Sequence, residues 1–187
     1  MITRLAVFLG SRDGHDPAHV TLANDVGRAL AERDIELVYG AGGGGLMGHL
    51  SDAVLAHGGR VYGVLPRFMV DREWGRPAGD RIESVVVESM HERKALMAAR
   101  ADAFLTLPGG LGTLEEFFEL WTHQTLAVHE KPSGLLNPGG FWDPLLATLD
   151  RIVEAGFADR RTVDELVVAP ELEDVLAGLE ARRGQRA

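Results

Sequence analysis

Short apolar runs that alternate with longer stretches of helical periodicity constrain the fold of this 187-residue chain most strongly. Residues 5–9 form one such run, and Val20, Val26 and Leu30 recur at helical spacing in the stretch that follows. Apolar runs of about five residues separated by helices of ten or more are typical of βαβ units, whose strands are parallel. Because the runs are apolar throughout, we predict an α/β protein with a mostly parallel sheet covered by helices on both faces.

The same alternation continues along the chain, and we expect one doubly wound, Rossmann-like domain over residues 1–187. The predicted strands are residues 5–9, 35–39, 61–65, 82–87, 103–107, 133–136 and 166–169. One helix is predicted after Asp16-Pro17, and the others cover residues 46–57, 89–100, 113–128, 141–155 and 170–183. Residues 67–81 are polar, contain Pro77 and show no period, so we expect a loop there.

Charge and composition exclude several classes of function. Acidic residues outnumber basic ones by 28 to 19, a net charge of −9, which argues against a nucleic-acid partner because phosphate backbones bind clustered Lys and Arg. Cysteine is absent, which excludes a disulfide framework and a thiol nucleophile. The apolar runs are too short for a membrane span, and residues 1–4 lead into the first strand without a signal-peptide core. We therefore expect a cytoplasmic protein without a membrane partner.

Three glycine-containing turns, at residues 10–11, 40–45 and 109–112, follow predicted strands. Ligands of open α/β sheets bind beyond the carboxyl ends of the strands. Glycine lets an anion approach the backbone, and a helix N-terminus offers unpaired N–H groups. We therefore predict a phosphate-bearing ligand, although tight strand-to-helix turns alone would also explain one such glycine cluster. The candidate phosphate-turn residues in the first two turns are Gly10, Ser11, Gly40, Gly42 and Gly45.

The spacing of the second turn narrows the kind of phosphate ligand. Gly40, Gly42 and Gly45 satisfy the dinucleotide fingerprint, which also requires an acidic residue about 20 positions further on. The next predicted strand instead ends in Leu65-Pro66, and no Walker-type Gly-Lys-Ser/Thr sequence occurs. The pattern indicates a nucleotide or sugar phosphate and argues against NAD binding and ATP hydrolysis.

Two adjacent cations lie in the first turns of the helix predicted over residues 89–100. The positive charges of Arg93 and Lys94 interact unfavourably with the positive end of the helix dipole there. An anion close to the two side chains would offset this unfavourable interaction. That anion could be a ligand phosphate or a carboxylate. Alternatively, the two cations form a solvated helix face together with Glu92.

Residues 108–116 bring backbone donors, a hydroxyl and two carboxylates to one helix start. Thr113 and Glu116 have the spacing of a capping box, in which Glu116 would accept the Thr113 N–H. Capping does not account for Glu115, although an acid is favourable in any first turn. From the residues alone, a structural and a catalytic role for Glu116 are equally compatible with the pattern.

These motifs resemble those of the LOG family, the cytokinin riboside 5'-monophosphate phosphoribohydrolases once labelled lysine decarboxylases. Residues 108–116 match the family pattern Pro-Gly-Gly-x-Gly-Thr-x-x-Glu, and residues 90–94 match Met-x-x-Arg-Lys. Residues 39–48 match Tyr-Gly-Gly-Gly-x-x-Gly-Leu-Met-Gly, with Ala41 in place of a glycine. Leu111 stands where tyrosine is frequent in the family, a departure that bears on base preference.

The resemblance implies hydrolysis of the N-glycosidic bond of adenosine 5'-monophosphate (AMP) or N6-isopentenyl-AMP, which yields free base and ribose 5-phosphate. It implies Arg93 and Glu116 as the catalytic pair. Glu116 would stabilise an oxocarbenium-like state and position or deprotonate water, while Arg93 would orient Glu116 and hold the ribose or phosphate. Lys94 and the glycine-turn amides would bind phosphate. The implied substrate-binding residues are Glu73, Lys94, Gly109, Gly110, Leu111, Gly112, Thr113, Leu114, Glu115 and Thr122.

No metal or cofactor is expected for this chemistry, and two other functions remain as alternatives. A non-catalytic nucleotide or molybdenum-cofactor carrier would explain the glycine turns but not the pairing of Arg93 with Glu116. A pyridoxal-phosphate decarboxylase needs a lysine for its Schiff base, and the chain has only Lys94 and Lys131.

The resemblance also implies an oligomer, because members of the family are commonly dimers or larger assemblies, and we expect a homodimer. The helix face that carries Phe117, Leu120 and Trp121 is a candidate contact, although it could equally belong to the core.

Overall fold

The strands form a parallel sheet, as the apolar runs predict. The computed structural model describes residues 1–70 and 80–184. The strands are β1 (Arg4–Phe8), β2 (Glu36–Tyr39), β3 (Val61–Pro66), β4 (Ile82–Val87), β5 (Ala103–Thr106), β6 (Ser133–Leu136) and β7 (Val167–Ala169). Within the described residues they form one seven-stranded sheet in the order β4-β3-β2-β1-β5-β6-β7. Every pairing is parallel, which confirms the predicted α/β class.

Helices connect the strands. They are α1 (Ala18–Glu32), α2 (Gly45–Ala56), α3 (Arg67–Val70), α4 (Met90–Arg100), α5 (Leu111–Thr125), α6 (Asp143–Glu154), α7 (Arg160–Asp164) and α8 (Leu172–Gly184). The short helices α3 and α7 are not predicted from the sequence. Part of the expected loop, residues 71–79, lies outside the described residues, and so does the predicted substrate contact Glu73.

Both faces of the sheet are covered, which explains why its strands are apolar throughout. Leu5 and Val7 of β1 pack with α1, α2 and α8 on one face, whereas Ala6 and Phe8 pack with α4 and α5 on the other. A third cluster joins α5 and α6 over β6 and contains Phe117. The fold is therefore doubly wound, with one helical layer on each side.

The face of α5 that was a candidate oligomer contact belongs to this core. Phe117, Leu120 and Trp121 are only 2%, 2% and 6% exposed. The core alternative is therefore the correct one for these three side chains.

The winding direction changes between β1 and β5. From β1 the chain proceeds outward through β2, β3 and β4, and from β5 it proceeds outward through β6 and β7 on the opposite side. The connections that leave the carboxyl ends of β1 and β5 therefore diverge, which opens a crevice at this switch point. A hydrogen bond links the two connections shortly after the strands end: the N–H of Gly10 donates to the carbonyl of Pro108 at 3.2 Å.

A buried carboxylate ties the start of β1 to the start of β5. Asp102 accepts hydrogen bonds of 3.0 Å from the backbone N–H and the hydroxyl of Thr3 and from the Arg4 N–H. The Arg4 guanidinium also donates to it at 3.1 Å, and Arg183 of α8 lies 3.5 Å away. Burial alone would raise the pKa of Asp102, but the hydrogen bonds from Arg4 and Thr3 lower it to about 2.

In the described part of the chain, we find no helix with the length and apolar character that crossing a bilayer requires.

Candidate active site

A cavity of about 870 Å³ lies at the switch point, beyond the carboxyl ends of β1 and β5. Its walls are the connection after β1, the turn and first residues of α5, and the start of α4. Met47, Met69 and Phe141 supply apolar surface from other elements. A volume of this size is within the range of small-molecule sites in proteins.

Arg93 enters the cavity from α4 and is only 5% exposed. Its Nη2 donates a hydrogen bond of 2.9 Å to the carbonyl oxygen of Gly40. A Cβ atom at Gly40 would lie 1.5 Å from this Nη2, so the guanidinium occupies the space that a side chain would take. The absence of a side chain at Gly40 therefore accommodates Arg93, and a phosphate contact at Gly40 stays a prediction.

Two further glycines of this turn, Gly42 and Gly45, lie close to neighbouring residues. Gly45 has a φ of +60°, and a Cβ there would lie 2.3 Å from the carbonyl oxygen of Ser11. A Cβ at Gly42 would lie 2.8 Å from the sulfur of Met47. Gly42 and Gly45 lie outside the cavity wall formed by the described residues, whereas Gly10 and Ser11 lie within it. Gly42 and Gly45 thus pack against other residues, and a phosphate contact of this turn stays a prediction.

Ala41, the departure from the family pattern, is buried in this turn with a φ of +56°. This is the left-handed region, in which glycine is the unstrained residue.

The turn before α5 lines the cavity and leaves part of its backbone uncovered. Within the described residues, a Cβ at Gly110 or Gly112 would meet no atom within 4 Å. At Gly109, by contrast, a Cβ would lie 2.2 Å from the Thr113 hydroxyl oxygen. Gly109 is therefore required by packing, whereas Gly110 and Gly112 leave backbone accessible from the cavity.

Helix α5 begins at Leu111 rather than at Thr113, because Gly110 takes the N-cap position with extended backbone angles. Leu114 N–H donates to the Gly110 carbonyl at 3.1 Å, which closes the first turn. Glu116 thus lies in the second turn, beyond the position from which it could cap the helix. The capping-box alternative for Glu116 is therefore wrong.

Glu116 instead faces Arg93 within the cavity wall. Its Oε1 lies 3.8 Å from Arg93 Nη2, and its side chain is 14% exposed. Burial raises the pKa of Glu116 to about 7 from its usual 4.5, even though the positive charge of Arg93 acts in the opposite direction. The site therefore holds a carboxyl group that changes its charge near neutral pH.

The rest of the Arg93 guanidinium has apolar surroundings. Nη1 lies 4.0 Å from the sulfur of Met69 and 3.8 Å from that of Met90. Among the described residues, the buried Nε has no hydrogen-bond partner. An oxygen atom of a ligand could satisfy this donor, since unpaired buried donors are unfavourable.

Lys94, the predicted phosphate ligand, has a different environment from Arg93. Its ammonium group donates to the carboxylates of Glu115 and Glu119 on α5 and lies outside the cavity wall. Burial alone would lower the pKa of Lys94, but these hydrogen bonds outweigh it and raise the pKa. The Lys94 charge is therefore already paired and links α4 to α5, and the phosphate role of Lys94 stays a prediction.

The remaining predicted contacts divide into two groups. Leu111, which is 88% exposed, and the buried Thr113 both line the cavity. Leu114 instead packs against the core cluster under α6, and Thr122 is exposed near the end of α5. Neither Leu114 nor Thr122 lines the cavity formed by the described residues, so the structure does not place these two with the other predicted contacts.

Sequence reasoning missed several residues of the wall. Arg12 follows directly after the predicted Gly10-Ser11 turn, and its position after the first strand is the signal that could have indicated it. Met47 and Phe141 come from separate elements, and no local pattern marks them.

Within residues 1–70 and 80–184 we find no group of three or more His, Asp or Glu residues placed to hold a metal ion.

Comparisons with known proteins extend over almost the whole chain. The model of a family described as "Possible lysine decarboxylase" matches residues 47–179. A rice (Oryza sativa subsp. japonica) protein named probable cytokinin riboside 5'-monophosphate phosphoribohydrolase LOGL5 is 46% identical over 95% of this chain and 71% of its own length. The Arabidopsis thaliana cytokinin riboside 5'-monophosphate phosphoribohydrolase LOG7 is 45% identical over 95% of this chain and 81% of its own.

Solved structures share the fold at lower identity. The molybdenum cofactor binding protein of Rippkaea orientalis matches with a TM-score of 0.68 and 19% identity, covering 97% of each chain. At that identity the likeness shows the fold alone.

Proposed function

Since this chain belongs to the LOG family of cytokinin riboside 5'-monophosphate phosphoribohydrolases, we propose that it hydrolyses the N-glycosidic bond of a nucleoside 5'-monophosphate. The substrate is AMP or N6-isopentenyl-AMP, and the products are the free base and ribose 5-phosphate. Release of a prenylated base would make the reaction a cytokinin-activating step. The observation that carries the proposal is the buried Arg93–Glu116 pair in the wall of the cavity.

In the proposed reaction, the bond between the base nitrogen and C1' of the ribose breaks, and its electron pair leaves with the base. Positive charge develops on the ribose as an oxocarbenium-like state, which the ionised Glu116 stabilises. A water oxygen then bonds to C1', and Glu116 accepts the proton that the water loses. The base takes up a proton from solvent as it leaves, so that atoms and charges balance.

Arg93 supports this role through its position. Its guanidinium favours the ionised form of Glu116, while burial favours the neutral form. The balance places the pKa of Glu116 near neutral pH, where a general base is most effective. Among the described residues the Nε of Arg93 has no hydrogen-bond partner, and it could donate to a ribose hydroxyl or phosphate oxygen.

The proposed reaction uses only water and side chains. The positions of Lys94 and Lys131 argue against the decarboxylase alternative. Lys94 is held by two carboxylates, and Lys131 donates at 2.5 Å to the Ala98 carbonyl at the end of α4. Neither ammonium group lines the cavity of the described residues, as a Schiff-base lysine would. The carrier alternative explains the cavity but gives no reason for a carboxyl group of raised pKa beside an arginine.

Incubation of the purified protein with AMP and isopentenyl-AMP tests the proposal, with the two unphosphorylated ribosides as controls. We expect free base and ribose 5-phosphate from the monophosphates, and little or no base from the ribosides. Intact nucleotide after long incubation would favour a carrier. A panel that adds GMP and CMP would define base preference, including the effect of Leu111.

We also propose a cytoplasmic homodimer, as family membership suggests. Since Phe117, Leu120 and Trp121 are core residues, the contact must use other surfaces. Leu126 and Val128, directly after α5, are 68% and 67% exposed and are candidates. Light scattering during size-exclusion chromatography measures the mass in solution, and a mass near the 20.2 kDa of one chain would overturn the dimer.

A further inference from the structure

The acidic side chains around the cavity are all engaged with other protein groups. Asp13 lies 3.3 Å from His49 Nε2, and Asp16 accepts the Ala18 N–H at 2.8 Å. Glu115 pairs with Lys94 of α4, and Glu116 pairs with Arg93 of the same helix. A phosphate that enters this cavity therefore meets negative charge on several sides, and it needs a cation that is not already neutralised.

Arg12 is the cation that meets this requirement. It lines the cavity and is exposed, and within the described residues it makes no ion pair or side-chain hydrogen bond. Arg93 is already paired with Glu116, and Lys94 lies outside the wall, held by two carboxylates. Arg12 thus differs from both cations of the family motif in having its guanidinium available.

The backbone that carries Arg12 is held next to the open glycine turn. The Gly10 N–H donates to the Pro108 carbonyl at 3.2 Å, and the Cβ position of Gly10 lies 3.6 Å from the Cα of Gly109. Gly45, at the start of α2, also approaches this connection closely: a Cβ built on Gly45 would lie 2.6 Å from the backbone nitrogen of Arg12. The connection after β1 is therefore packed between the starts of α2 and α5, on the same side of the cavity as Gly110.

We infer that Arg12 binds the 5'-phosphate of the substrate, together with the accessible backbone at the start of α5. A guanidinium suits this role because it can donate two parallel hydrogen bonds to one phosphate group. The inference rests on the proposed function and reassigns the phosphate contact from Lys94 to Arg12. Arg12 then determines the preference for a phosphorylated substrate, while Glu116 and Arg93 act on the bond that breaks.

The test compares Arg12→Gln with Arg151→Gln, which removes the same charge from an exposed position on α6 whose side chain is 80% exposed. For Arg12→Gln we expect the KM for AMP to rise about tenfold or more, with kcat within about twofold, because a charge-assisted contact to the ground-state phosphate is lost. Inhibition by ribose 5-phosphate should weaken by a similar factor. Arg151→Gln should leave all three values unchanged. An unchanged KM in Arg12→Gln would overturn the inference.

A binding measurement separates this result from a general structural effect and from failure of the proposed function. Calorimetry with AMP and with adenosine uses Glu116→Gln, with and without Arg12→Gln, so that turnover does not interfere. Loss of AMP affinity with unchanged adenosine affinity supports the phosphate contact, even if the wild type proves not to hydrolyse AMP. Equal weakening of both ligands by Arg12→Gln, or no binding of AMP by Glu116→Gln with Arg12 intact, would overturn it.

Discussion

Arg93 Nη2 and Glu116 Oε1 lie 3.8 Å apart across the boundary between α4 and α5. This separation is too long for a direct hydrogen bond but short enough for strong electrostatic interaction in a buried setting. The two groups therefore influence each other's charge while each keeps hydrogen-bonding capacity for a third group. That arrangement suits a water molecule or a ribose hydroxyl in contact with both.

Glu116→Gln is expected to lower kcat by about 100-fold to 10,000-fold, the usual contribution of a general base, because the amide cannot accept a proton. Glu154→Gln, on the exposed surface of α6, serves as the matched control and should retain full activity. Steady-state release of base from AMP measures both. Wild-type turnover in Glu116→Gln would show that this carboxyl group is not the base.

The activity should also depend on pH through Glu116. Its pKa of about 7 predicts that kcat/KM rises about tenfold per pH unit below 7 and levels off above it, because the ionised form is the active one. A pH-rate profile of the wild type checks this. A profile that is flat between pH 5 and 8 would contradict the assignment.

The same titration predicts a stability difference between the wild type and Glu116→Gln. The folded pKa lies above the usual 4.5, so the folded state binds the proton more tightly, and stability falls as pH rises from about 4.5 to about 7. The glutamine variant lacks this loss, which is of the order of 3 kcal/mol. Denaturant unfolding at pH 5 and pH 8 should therefore show a relative gain for the variant at pH 8.

Alanine at Gly40 and at Gly110 should have different effects. Gly40→Ala places a methyl group where the Arg93 guanidinium lies, so we expect activity to fall about 100-fold and stability to decrease. Gly110→Ala meets no protein atom within 4 Å, so its melting temperature should remain close to that of the wild type. Any loss of activity in Gly110→Ala then reports on a bound ligand. Equal melting temperatures and equal activities in the two variants would contradict the different roles assigned to Gly40 and Gly110.

Asp102→Asn should destabilise the protein without changing the chemistry of the site. Because the folded pKa of about 2 lies below the usual 3.8, the ionised group stabilises the fold by about 2 kcal/mol above pH 4. This contribution is lost as pH falls through about 2. Denaturant unfolding at pH 7 measures the loss, and Asp150→Asn, which breaks the exposed pair with Arg160, should cost less than about 1 kcal/mol.

Much of the fold could be predicted from sequence because apolar runs and glycine stops carry the signal locally. The predicted strand over residues 82–87 has the bounds of β4, and the predicted helix over residues 89–100 matches α4, whose N-cap Ser89 accepts the Glu92 N–H at 3.1 Å. The start of α5 could not be fixed by spacing, since both Gly110 and Thr113 are acceptable N-cap residues. Only the structure shows which of the two the helix uses.

The sequence indicated part of the cavity wall but not the contacts that its residues make. The motif indicated Arg93 and Lys94 as neighbours on one helix, but their partners come from other elements. Glu115 and Glu119, one helical turn apart on α5, face Lys94 only because α4 and α5 pack side by side. Similarly, nothing local to Gly40 indicates that a guanidinium from another helix fills its side-chain space.

Because a Cβ at position 40 would overlap the guanidinium of Arg93, the residues at these two positions should vary together in related proteins. Gly40 and Arg93 are separated by 53 residues, yet the carbonyl of Gly40 accepts a hydrogen bond from the Arg93 guanidinium. In related proteins, we expect a residue larger than glycine at the position of Gly40 only where the position of Arg93 no longer holds an arginine. Such correlated replacement would mark relatives in which the Arg93–Glu116 pair has been lost.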